Sequence, residues 1–141
     1  MKGYSASPAG FLAHELRTFE LASRLVAGLP ESGTLRCHEL ARAVQRVIME
    51  DSTAAVASWR VCDGQYGLVD HSWLNNDVTH NLLDVYAVGQ LPMVRLVMVD
   101  PIGVRHVHGP YIYQEGKWRN DIDVSEVGRL VRELERIRKR G

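Results

Sequence analysis

Cys37 in CHELARAVQRVI, His71 in DHSWL and Asp84 in NLLDVY supply, in chain order, a nucleophile, a base and an orienter for that base. A thiol attacks a carbonyl as its thiolate. Its ionisation is favoured in the first turn of a helix and beside an imidazolium, where free backbone N–H groups and positive charge stabilise the anion. The base must reach the sulfur with one ring nitrogen while an acceptor holds the other. The candidate chemistry is therefore acyl transfer through a thioester.

The flanking residues predict the elements that position this trio. Pro30, Gly33 and Thr34 interrupt the chain before an apolar-periodic run, which predicts a helix over about 35–49 with Thr34 as N-cap and Cys37 as third helical residue. Alternation in LVDHSWL sets Val69, His71 and Trp73 on one face of a strand and Leu68, Asp70, Ser72 and Leu74 on the other. Leu82, Asp84 and Tyr86 share a face of the next apolar stretch. From 71 to 84 is 13 residues, room for the end of one strand, a turn with Asn75, Asn76 and Asp77, and entry into an antiparallel neighbour. Two alternatives stay open. Cys37, Leu40, Ala41, Val44, Val47 and Ile48 form one helical face, which suits a packed cysteine equally well. Trp73 is a core residue, a shield or a substrate contact. His38, about 100° round the helix from Cys37, is expected at the surface.

At these residues the chain resembles the papain-like superfamily, and within it the transglutaminase-like arrangement. A helix-borne cysteine there precedes a histidine on one strand and an aspartate on the next, here Cys37 in LRCHELARAV, His71 in DHSW and Asp84 in LLDVY. The resemblance spans roughly Thr34 to Tyr86, and it extends to small uncharacterised bacterial proteins with similar CHELARAV, DHSWL and LLDVYAVG segments. It implies a papain-like core and a Cys37-His71-Asp84 triad acting on a peptide or protein substrate. Papain's oxyanion-holding glutamine has no counterpart in PESGTLR. Backbone N–H groups, such as that of Cys37, would have to serve instead.

The 141 residues, 45% hydrophobic and 24% charged, fit one domain. Seventeen Lys plus Arg balance seventeen Asp plus Glu, so the overall charge attracts neither nucleic acid nor an anionic membrane. No apolar run reaches membrane-spanning length, and His14, Glu15, Arg17 and Glu20 interrupt the N-terminal segment where a signal peptide needs unbroken apolar residues. A cytoplasmic protein is expected, although one exported without a classical signal would read the same. Cys37 and Cys62 make neither a disulfide framework nor a zinc spacing. His106 and His108 alternate onto one face and read as substrate contacts or edge-strand residues; no metal and no other cofactor is expected.

Elsewhere, Ser7-Pro8 opens a helix over about 8–28 whose stripe is Leu12, Leu16, Phe19, Ala22 and Val26, with Glu15 on the surface. AAVASWRVC reads as a strand and DGQYG as a hairpin loop. MVRLVMV is a further apolar stretch, and GVRHVHGPYIYQEGKW two short strands with a QEG turn. Asp123 and Glu126 form a capping box, with Ile122 and Val127 as staple, for a helix over about 124–139 whose stripe includes Val124. The expected class is α+β, an antiparallel sheet of four to six strands packed against helices. A thiol enzyme on amide or thioester bonds leads the functional readings; a non-catalytic binding module on the same fold is the alternative.

Overall fold

The computed structural model describes residues 11–30, 34–51, 58–86, 94–98, 106–108 and 111–140, with backbone alone for 106–108 and 111. The first residues of the AAVASWRVC strand lie outside the described residues, and the first helix begins not at Pro8 but at Ala13, after an extended Leu12 whose N–H is taken by Glu15. Three helices, α1 (Ala13–Ala27), α2 (Cys37–Glu50) and α3 (Val124–Arg140), accompany six strands, β1 (Trp59–Tyr66), β2 (Val69–Asn76), β3 (Leu82–Asp84), β4 (Arg95–Val97), β5 (His106–His108) and β6 (Tyr111–Glu115). The sheet order is β4-β3-β2-β1-β6-β5, each neighbouring pair antiparallel. This is an α+β fold. Its end strands β4 and β5 approach one another, so the sheet curls.

Strand alternation sorts the sheet's side chains into two cores. Val61, Leu74, Leu83 and Val85 join the apolar stripes of α1, α2 and α3 in the larger one. Cys62, Tyr66, Trp73, Leu82, Val97 and Tyr113 pack together on the opposite face. Among the described residues no helix is long and apolar enough to cross a membrane.

Several boundaries differ from the expected ones for local reasons. DGQY is not a loop but the end of β1; the hairpin turns at Gly67-Leu68, where Gly67 takes φ 63°, the left-handed value that a two-residue turn favours. Gln114 and Glu115 belong to β6 rather than to a turn. At α3, Glu126 N–H donates to Asp123 Oδ1 (3.0 Å), but the reciprocal bond goes from Asp123 N–H to Glu39 Oε2 (3.0 Å) while Glu126 pairs with Arg129. Val124 is 72% exposed, and the buried α3 stripe is Val127, Leu130, Leu134 and Ile137.

Glu15 is the largest departure on α1. It is fully buried and accepts from Asn76 Nδ2 (2.9 Å), Thr79 Oγ1 (2.6 Å), Asn81 Nδ2 (3.2 Å) and the Leu12 N–H (2.9 Å). The turn between β2 and β3, with His80 at φ 65°, is thereby fastened to α1. A buried carboxylate is tolerated when its oxygens are this fully hydrogen-bonded.

Close approach also fixes Gly64, which pairs with His71 across β1 and β2 and with Glu115 across β1 and β6. A Cβ there would lie 2.1 Å from the Gln114 carbonyl oxygen and 2.8 Å from Glu115 Cα. Gly64→Ala should therefore force β6 away and lower stability by about 3 kcal/mol, read from urea unfolding. An unchanged midpoint would mean that β1 and β6 are not held this tightly.

Candidate active site

Cys37 is the first residue of α2, not the third. The chain stays extended through Arg36, the N-cap (φ −77°, ψ 142°), whose side chain makes no cap hydrogen bond. Cys37 retains 9% of its surface exposed, whereas His71 and Asp84 retain none.

The β2–β3 register pairs Leu74 with Leu83, which sets Asp84 alongside Trp73 on the face that carries His71. His71 Nε2 lies 3.0 Å from Asp84 Oδ1 and 2.9 Å from Oδ2. Asp84 also accepts from the Tyr113 hydroxyl (2.5 Å) and the Tyr86 N–H (3.0 Å), and Arg95 Nη2 stands 3.8 Å away. The other ring nitrogen, Nδ1 of His71, is buried and has no hydrogen-bond partner among the described residues. The ring nevertheless contributes to lowering the thiol.

His38 is not at the surface. It is 7% exposed, with Nδ1 3.6 Å and Nε2 4.0 Å from Cys37 Sγ. The reason is packing: every residue from Cys37 to Val44 is buried, so a turn of 100° carries a side chain from one packed surface to another. His38 Nδ1 is 2.7 Å from Ser72 Oγ, and Ser72 Oγ donates to Asp63 Oδ1 (2.6 Å). Asp63 is gripped by Arg42 through Nη1 (3.1 Å) and Nη2 (2.6 Å) and accepts the Arg119 N–H (3.0 Å). Asp63 and Ser72 are direct cross-strand partners on the helix-facing side of the sheet.

Burial pushes the Cys37 thiol up, but contacts with the imidazoles of His38 and then His71 outweigh it and bring the thiol down to about 6. Burial likewise opposes charge on His71, yet its hydrogen bond to Asp84, followed by its contact with Cys37, holds it up at about 9. Between those values the pair is a thiolate beside an imidazolium. Cys62 behaves oppositely: burial, and then Glu115, push its thiol up to about 12. Burial and Asp84 hold the Tyr113 hydroxyl above its ordinary range, so it stays a donor.

Of the remaining expected site residues, Trp73 packs onto this cluster and the two histidines of β5 are placed by their backbone alone. Trp73 is 3% exposed, packed edge-on against Tyr113 at 5.3 Å and tilted over His71 at 6.2 Å, which suits a shield and not a substrate contact. Asp70 is exposed, 3.8 Å from Arg119. His106 and His108 pair with Tyr113 and Tyr111 along β5, and their side chains lie outside the described residues. Among the described residues no three His, Cys, Asp or Glu side chains cluster as metal ligands. No family model matches the chain, and no curated protein or solved structure matches it.

Proposed function

We propose that the chain is a thiol-dependent enzyme acting on amide or thioester carbonyls of a peptide or protein, with Cys37 as nucleophile, His71 as general base and acid, and Asp84 as its orienter. The observation that carries this reading is the state of His71: Nε2 is committed to Asp84, Nδ1 is buried with no hydrogen-bond partner among the described residues, and the ring, after that of His38, helps hold the Cys37 thiol low. Nδ1 takes the thiol proton; the thiolate adds to the carbonyl carbon. Backbone N–H groups of the first turn of α2, such as that of Cys37, would hold the developing oxyanion. The imidazolium returns its proton to the leaving amine or thiol, and the acyl-thioester passes to water or to an amine. Hydrolysis, deamidation and transfer share these steps. The order of the three residues along helix, strand and strand agrees with a papain-like, transglutaminase-like core. Both cysteines are free, which suits the cytoplasm.

A binding module is the second reading, favoured by the small exposure of Cys37. Acylation by p-nitrophenyl acetate at pH 7, read by peptide mass spectrometry, separates the two. An enzyme should carry the acetyl group on Cys37 and not Cys62, with none on Cys37→Ala protein. An adduct that forms at Cys37 only after unfolding would leave the binding module standing.

A further inference from the structure

Asp84 has more partners than His71, and the way they divide its two oxygens governs how it treats that ring. Nε2 of His71 stands almost equally far from both, 3.0 Å from Oδ1 and 2.9 Å from Oδ2, so its N–H points between them. Each oxygen has one further donor, the Tyr86 N–H on Oδ1 (3.0 Å) and the Tyr113 hydroxyl on Oδ2 (2.5 Å). The first belongs to the backbone beside Asp84 itself. The second is brought from β6 by a side chain 4% exposed, packed against Tyr66 (ring centroids 4.7 Å apart) and Trp73 (5.3 Å).

We propose that Tyr113 is a positioning residue for the base: its hydroxyl anchors Oδ2 as the Tyr86 N–H anchors Oδ1, so the carboxylate keeps both oxygens on Nε2 and does not close on it with one. The terminal torsion of an aspartate is soft, and a carboxylate with a single anchor turns readily. The hydroxyl also takes up part of the negative charge. That hydrogen bond is strongest while His71 is neutral and Asp84 uncompensated, and weaker once an imidazolium shares the same oxygens. Tyr113 therefore favours the neutral ring, and with it the return of the proton from His71 to the leaving group. The other titratable or charged groups around the pair are Cys37 from α2, with His38 beyond it, Tyr66 and Cys62 from β1 and Arg95 from β4, 3.8 Å from Oδ2. The side chain of His106, cross-strand from Tyr113 on β5, lies outside the described residues.

This role rests on His71 and Asp84 serving Cys37, and the titration of the His71 ring tests the two separately. Nuclear magnetic resonance of histidine-labelled protein follows that ring against pH, with the His71 signal assigned by its loss in His71→Ala. Tyr113→Phe keeps the aromatic packing and removes only the hydroxyl. It should raise the His71 midpoint by about half a unit, about a threefold gain in proton affinity. Replacing Tyr113 by 3-fluorotyrosine, whose hydroxyl is the stronger donor, should move the midpoint the other way by less, and it tests the same point should Tyr113→Phe fail to fold. A hydroxyl that served packing alone would give the opposite result for Tyr113→Phe, because a loosened Asp84 holds the imidazolium less well and the midpoint falls. A raised wild-type midpoint that Tyr113→Phe lowers or leaves in place, or that 3-fluorotyrosine leaves in place, would therefore overturn the role of Tyr113 alone. A wild-type midpoint near the ordinary 6.5 would instead overturn the ion pair, the enzyme reading and this role together.

Discussion

Replacing His71 by alanine should reduce turnover by about a thousandfold or more and remove one side of the pH profile. In wild type, acyl transfer should rise through about 6 as the Cys37 thiol ionises and fall through about 9 as His71 loses the proton it must return to the leaving group. The two values belong to the interacting pair. Without His71 the thiol keeps its contact with His38 but loses its proton acceptor, so its midpoint should climb toward the ordinary 9.0 and the descending limb near 9 should vanish. The pH dependence of single-turnover acylation at Cys37 measures both effects. A His71→Ala protein with an unchanged bell would mean that another group is the base.

Asp84→Ala should be the most destabilising single change at the site, by about 3–5 kcal/mol, because it leaves the partners of a buried ion pair without their acceptor. The Tyr113 hydroxyl, the Tyr86 N–H and His71 Nε2 would all lose it in one step. The pH dependence of unfolding should also change. His71 is raised from 6.5 to about 9, so its stabilising contribution is complete below 6.5 and disappears as pH rises through 9. Cys37 is lowered from 9.0 to about 6, so its contribution is complete above 9 and disappears as pH falls through 6. From about 6.5 to 9 the slopes oppose, because folding moves a proton from sulfur to imidazole with little net exchange with solvent. Wild-type stability should owe almost no pH dependence to this pair across that range. Asp84→Ala lowers His71 and removes the falling slope, so stability should then rise with pH. Urea unfolding at pH 6.5, 7.5 and 8.5 checks this; a variant as flat as wild type would contradict the coupling.

Much of the site was legible because local pattern governs it. A helix carrying Cys37 in its first turn, a strand through His71 and a second strand through Asp84 follow from apolar spacing, although the helix starts two residues later than Thr34 as cap would set it, and the interval of 13 residues suffices for the His71–Asp84 contact. A single amphipathic face misplaces His38, because the first two turns of α2 are packed on every side. Its partners leave a signal: Asp63 and Ser72 are polar positions next to the apolar pair Val61 and Leu74 on the helix-facing side of the same hairpin. Reading DGQYG as a loop hid that register. Tyr113 left no comparable signal, since β1 pairs with β6 across about fifty residues and nothing in the spacing specifies that partner.

Glu15 gives α1 a part in the site without touching it. Its oxygens hold Asn76, Thr79 and Asn81, which close the link between the strands of His71 and Asp84. Fluctuations that would spread those strands at the turn must also break the bonds to the helix, so the two segments form one local unfolding unit. The closeness of imidazole and carboxylate is therefore protected by the free energy of docking a helix that takes no part in the chemistry, and an insult to α1 would surface first as a loosened base.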